Sequence, residues 1–288
     1  MHAKHVLYVV AFTSEALWET KSREHNAIFH ICHSLRPDVT LLSRLKHISL
    51  PSLQGVPTIT SFLSQTLLVA RMRLPNSSHN FLQDIYESCP HIAHIYLSGN
   101  IAVSDLQRLR VFKSLNSFIL DFLDLTSPTY QLEELLLPPN ISKLGLYFRL
   151  SFQFRLLRLS TLSNLRFLHL KGHFRSIATI LGAVNNLEQV IIEISDHEIP
   201  STEVQLSWHA LASNSGHSLH TVKIFCKGGR ELYGHLLMEI PAMSYLEVKA
   251  IFLPNLIRSV YTRSIGVWTI APPEIGIYEP PQGPETTS

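Results

Sequence analysis

The stretch IAHIYLSGN, Ile92 to Asn100, sets Ile92, Ile95 and Leu97 in the apolar spacing L-x-x-L-x-L. The same spacing recurs at Leu45/Ile48/Leu50, Val69/Met72/Leu74, Leu115/Phe118/Leu120, Ile141/Leu144/Leu146 and Leu165/Leu168/Leu170. It continues at Leu187/Val190/Ile192, Leu219/Val222/Ile224, Met243/Leu246/Val248 and Ile265/Trp268/Ile270. Successive starts lie 24, 23, 23, 26, 24, 22, 32, 24 and 22 residues apart. In a chain this rich in large aliphatic residues a single match arises by chance about once per 25 positions, so one triplet decides nothing. Near-even spacing does, because chance supplies it with odds on the order of one in 10⁵. The period predicts a solenoid in which each coil gives one short strand and stacks on the next.

A period of this size falls in the leucine-rich-repeat range, and Ile92 to Asn100 resembles that consensus through its terminal Asn. The other copies lack that Asn, carrying for instance Leu53, Ser77, Leu123, Arg149 and His173 at the equivalent place. Segments such as LSNLRFLHLKG and VNNLEQVIIEIS look like the substrate-recognition half of fungal, basidiomycete-type F-box proteins, over about residues 40 to 272. The resemblance implies an α/β fold, an irregular leucine-rich-repeat solenoid with a curved parallel sheet and with helices and loops on the convex side. It also implies a noncatalytic protein-protein interaction module that holds a target for ubiquitin ligation in a cullin-type complex. The F-box itself, a helical unit with an L-P-x-E-like opening, has no match before Leu45, which puts adaptor binding in doubt.

Domain organisation follows from the period. Residues 1–40 are expected to form an N-terminal helical cap, centred on a helix from Ser14 to Leu35 that covers the open end of the stack. Residues 41–272 are the solenoid, and 273–288 a Pro-rich disordered tail. With 288 residues, 45% hydrophobic and 16% charged, the chain has apolar surface enough for one continuous core. A net charge of +2 lacks the basic stripe of a nucleic-acid binder. Cys32, Cys89 and Cys226 are odd in number and far apart, which suits reduced thiols, and a cytoplasmic or nuclear location is expected. No uncharged apolar run is long enough to span a bilayer. The alternative is a secreted or membrane-associated recognition protein, with His5 to Phe12 as a signal-peptide core and sequons at Asn76 and Asn140.

Returns between strands carry helical periodicity at Ser78–Ser88, Val103–Phe112, Phe174–Val184 and Glu231–Ile240. In the third, Ile177, Ile180, Leu181 and Val184 share one stripe and Arg175 lies outside it. The 32-residue interval holds an insertion, Asp196 to His217, in which Ser201 to Ala212 is expected to be an extra helix. It reads as a tolerated surface loop before it reads as a binding feature.

Catalytic chemistry is not indicated. No nucleophile elbow, phosphate loop, dinucleotide-binding glycines or metalloprotease motif is present, and no cofactor is implied. His25, His30, Cys32 and His33 cluster, but their spacing does not fit a zinc site. The informative residues alternate with the core positions, because strand side chains point to opposite faces. They are His47, Ser49, Arg71, Arg73, His94, Tyr96, Lys143, Tyr147, Phe167, His169 and Lys171, then Glu193, Thr221, Lys223, Phe225, Tyr245, Glu247 and Lys249. From this set Arg71, Arg73, His94, Tyr96, Lys143, Tyr147, Phe167, His169, Lys171, Lys223, Phe225 and Tyr245 are the candidate partner-binding residues. Cations interleaved with aromatics suit a protein target that is acidic or phosphorylated, with neither nucleic acid nor membrane expected. The same residues also suit a solvated face that only shields the strands, and both readings stand at this point.

Overall fold

A computed structural model describes residues 8–10, 43–50, 63–74, 81–99, 108–122, 137–148, 163–196, 201–226, 243–252, 255–264, 267–270 and 274–277. The chain forms two compact units, Met1–Leu168 and His169–Ser288. Both are α/β, with parallel strands and, among the described residues, a few helices between them.

In the first unit, strands β1 (Tyr8–Val10), β2 (His47–Leu50), β3 (Val69–Leu74), β4 (His94–Gly99), β5 (Ser117–Phe122) and β6 (Lys143–Phe148) follow one another in chain order. Each pairs with the next, and every pair is parallel. Equivalent core residues stand side by side: Ile48 faces Ala70, Ala70 faces Ile95, Ile95 faces Phe118 and Phe118 faces Leu144. All five are at most 2% exposed, so neighbouring strands share one continuous row of buried apolar side chains. Full burial of a large side chain such as Phe118 or Leu144 contributes about 1.5–3 kcal/mol, which holds neighbouring strands together. Helix α1 (Phe81–Ser88) turns Leu82 and Ile85 into this core, and a 3-10 turn at Arg108–Val111 adds Leu109. Tyr86 meets Phe112 edge to face at 5.6 Å.

The pairing corrects one repeat. Ile48 pairs with Ala70 and Leu50 with Met72, so the second copy is Leu67/Ala70/Met72, all buried, and not Val69/Met72/Leu74. Its start lies two residues earlier, which leaves Arg71 and Arg73 on the same face because a shift of two preserves strand parity. A second strand-independent marker agrees. At several strand entries one carbonyl accepts two successive amide N–H groups of the next repeat: Lys46 from Leu68 and Val69, Leu68 from Ala93 and His94, Ala93 from Asn116 and Ser117. Asn116 and Ser142 repeat the pattern, as do Glu188 and His220 in the second unit.

Side chains just before the first core position stitch the same turn. Asn140 Nδ2 donates to the Lys113 carbonyl at 3.0 Å and Asn164 Nδ2 to the Pro139 carbonyl at 3.1 Å. Thr66 Oγ1 donates to the Ser43 carbonyl at 3.1 Å, from the same place in its coil. These bonds satisfy backbone acceptors that the turn would otherwise leave unmade.

The boundary between the units falls within β7 (Phe167–Gly172). In the second unit, β8 (Gln189–Ile194), β9 (Thr221–Cys226) and β10 (Tyr245–Phe252) are parallel neighbours, with Val190, Val222 and Leu246 in register. Helix α2 (Phe174–Leu181) buries Ile177, Ile180 and Leu181, with Val184 just beyond it, and leaves Arg175 exposed, as its periodicity predicts. The insertion forms α3 (Ser201–Ser215), and it is not a surface loop. Trp208 is fully buried and meets Phe174 of α2 edge to face at 6.1 Å. Ser215 Oγ accepts from the Leu187 amide, and Asn214 Nδ2 donates to the Gly182 carbonyl, so the insertion supports both α2 and the entry to β8.

The termini depart from expectation. Residues 1–40 contain a strand, β1, whose Tyr8 pairs with His47; the Ser14–Leu35 helix lies outside the described residues. The tenth copy does not continue the parallel sheet. After β10 the chain reverses into β11 (Asn255–Ser264), which pairs antiparallel with β10 and with β12 (Val267–Ile270), the strand holding Trp268 and Ile270. Inside the tail expected to be disordered, Glu274–Ile277 forms β13 and pairs antiparallel with β11. The Glu231–Ile240 helix, Asn100 and the His25–His33 cluster lie outside the described residues.

Candidate functional site

Strand alternation carries the candidate residues. In β3 to β6 Ala70, Met72, Ile95, Leu97, Phe118, Leu120, Leu144 and Leu146 point to the core, and the intervening residues form rows across the opposite face. One row sets Arg71, Tyr96, Ile119 and Gly145 side by side in register. The row two residues earlier holds His94, Ser117 and Lys143, and the row two later holds Arg73, Ser98, Asp121 and Tyr147.

In this first unit the residues interact. The Arg71 guanidinium lies over the Tyr96 ring, 4.6 Å from its centroid, and Tyr96 Oη donates to Asp121 Oδ2 at 3.3 Å. Desolvation first and the Asp121 charge second raise the Tyr96 pKa, with Arg71 opposing them. The phenol therefore stays a donor at neutral pH. His94 is exposed, yet desolvation over the sheet, followed by the Lys143 charge, holds it below the usual histidine range. Arg71 and Lys143 are exposed, Arg73 and Tyr147 half-buried. Phe167, the first residue of β7, is half-buried, and its amide donates to the Ser142 carbonyl.

In the second unit the cations already have carboxylate partners. Glu193 accepts from His169 Nε2 at 2.9 Å and from Lys171 Nζ at 2.9 Å. The His169 hydrogen bond, the larger cause, and Lys171 together pull the Glu193 pKa down to about 2, against desolvation. Lys223 reaches the buried Glu247 at 3.2 Å and lies 5.6 Å from the centroid of the Tyr245 ring, while Tyr245 Oη donates to the same carboxylate. Phe225 is half-buried opposite Glu193. His173 and Asp196 pair, and Asp196 also accepts the Phe174 amide at the start of α2, which ties that helix to the end of β8.

Several residues of the open face escape the sequence reading: Ser98, Ser117 and Ile119, and with them Asp121 and Gly145. Asp121 is the seventh place of the Leu115 copy and sits 8% exposed among the cations, and Gly145 occupies the fifth place of the Ile141 copy. Both follow the alternation already used for their neighbours. Among the described residues no group of His, Cys, Asp and Glu is placed to hold a metal ion. Cys89 and Cys226 are free and buried, and burial pushes their thiols up to about 12 and about 11. No helix among the described residues is long and apolar enough to cross a membrane. No family model matches the sequence, and no curated protein matches it.

Proposed function

We propose that the chain is a noncatalytic recognition module, an irregular leucine-rich-repeat solenoid whose open sheet face holds a protein target, in the manner of the recognition halves that select targets for ubiquitin ligation. The observation that carries this reading is the row Arg71, Tyr96, Ile119 and Gly145 with its flanking His94 and Lys143, set in register on stacked strands. Strands fixed by core burial and by shared coil-entry hydrogen bonds make a preorganised platform, so binding costs little ordering of the receptor. Aromatic and Arg side chains on such a platform are the residue types that dominate protein interfaces. Mechanism is then proximity: the module holds the target while other subunits supply the chemistry. Cytoplasmic or nuclear residence belongs to this proposal.

Affinity capture with the intact chain, followed by charge reversal at Arg71, Arg73, Lys143 and Lys223, tests it. Loss of the specifically captured proteins is the expected outcome. Retention of all of them at wild-type levels rejects the sheet face as the binding surface.

A further inference from the structure

The two units use their cations differently, and the difference narrows what can bind. In the second unit Lys171 and Lys223 each stand within 3.2 Å of a carboxylate on their own face, Glu193 and Glu247. Their charge is balanced inside the fold. In the first unit Arg71 stacks on Tyr96, which occupies a guanidinium face and leaves edge donors in a planar fork, and Lys143 is exposed in the same register row as His94, with Ser117 between them.

Between them lies an apolar floor. Tyr96, Ile119 and Gly145 are neighbours in one register row. Ile119 fills the space that a Gly145 side chain would need, since a Cβ there would stand 3.0 Å from its Cγ1 and Cγ2. The glycine thus makes room for Ile119, whose side chain spreads over it and widens the apolar floor. Asp121, two residues beyond Ile119, would repel an acidic group placed at the centre of that floor.

Resting on the recognition reading above, we infer that the target contact is confined to β3–β6 and takes an extended acidic peptide, with carboxylates at Arg71 and Lys143 and an apolar side chain between them. Three strand spacings and a two-residue offset separate the backbones of those cations by about 16 Å; side chains of an extended chain alternate, so its positions i, i+2 and i+4 face the sheet together and span about 13 Å, and the long Arg and Lys side chains cover the rest. The motif is two acidic residues about four apart with a hydrophobic residue midway, all three on one face of the extended peptide.

A fluorescein-labelled peptide with that pattern, two Glu flanking a Leu in a Gly background, tests it by anisotropy against the intact chain. Measurable binding is expected, with about tenfold loss when both Glu are changed to Gln, a comparison that leaves the protein unaltered. The double variant Arg71→Gln/Lys143→Gln loses about tenfold, whereas Lys171→Gln and Phe225→Ala change affinity by less than about twofold. No binding tighter than about 1 mM, equal binding of the Gln peptide, or equal loss on Lys171→Gln overturns the inference. So does a single-stranded oligonucleotide that competes with the same dependence on Arg71 and Lys143, since it marks a general polyanion face. A captured protein that is lost on Phe225→Ala but indifferent to Arg71→Gln/Lys143→Gln sinks this inference while leaving recognition by the sheet intact. Indifference to both sets sinks recognition as well.

Discussion

Glu193→Gln removes the carboxylate that gathers His169 and Lys171, and its cost can be worked from the site. The folded-state pKa lies at about 2 against an ordinary 4.5. At about 1.4 kcal/mol per unit that difference sets a ceiling of about 3 kcal/mol. The Glu193 side chain keeps 30% of its exposure, so solvent screening reduces the expected contribution to about 1–2 kcal/mol. Because the folded pKa is depressed, this stability is present above the ordinary pKa and drains away as pH falls from about 4.5 towards about 2. Urea unfolding followed by circular dichroism, at about pH 7 and about pH 3, gives the readout. The gap between wild type and Glu193→Gln should be about 1–2 kcal/mol at neutral pH and shrink to less than half in acid. A gap of the same size at both pH values refutes the reasoning, because it assigns the loss to packing or amide geometry.

Other expectations concern the stack. Phe118→Ala empties a fully buried position flanked by Ile95 and Leu144 and should cost about 3–5 kcal/mol, read as a lower thermal midpoint; a cost below about 1 kcal/mol contradicts the continuous core. Asn140→Ala/Asn164→Ala removes two exposed turn-stitching bonds and should cost about 1 kcal/mol in total, with unchanged urea dependence of the unfolding free energy; no cost removes the ladder from the account. Iodoacetamide at about pH 8 should leave Cys89 and Cys226 unlabelled in the native chain and label both in urea, as mass spectrometry will show; fast native labelling refutes their burial.

The strand positions were legible because a positional repeat and a two-residue alternation agree at eight copies in residues 45–248. The second copy slipped because Ala70 is too small to count in a scan for large apolar residues, while Val69 and Leu74 satisfied the spacing by accident. A similar accident made Ile265/Trp268/Ile270 look like a tenth coil; spacing alone carries no strand direction, and β11 reverses the chain before it. The ladder Asn of the consensus follows the strand, whereas Asn140 and Asn164 precede it, so their role emerged only with the turn's carbonyls in place. The face was legible as a row of residues but its charge balance was not. His169 and Glu193 are 24 positions apart, as are Lys223 and Glu247, and such partners meet only once stacking register is known. For the insertion, Val204, Trp208 and Leu211 were visible as apolar residues, yet burial of Trp208 against Phe174 depends on a neighbouring helix that periodicity cannot aim.

Site-specific photocrosslinking tests the central claim most directly. A benzophenone amino acid replaces Tyr96 on the open face, and in a second variant Leu206, 71% exposed on α3. Irradiation in cells should give a discrete protein adduct from position 96 that vanishes with Arg71→Gln/Lys143→Gln, and no matching adduct from position 206. Adducts from position 206 with none from position 96 would contradict recognition by the sheet.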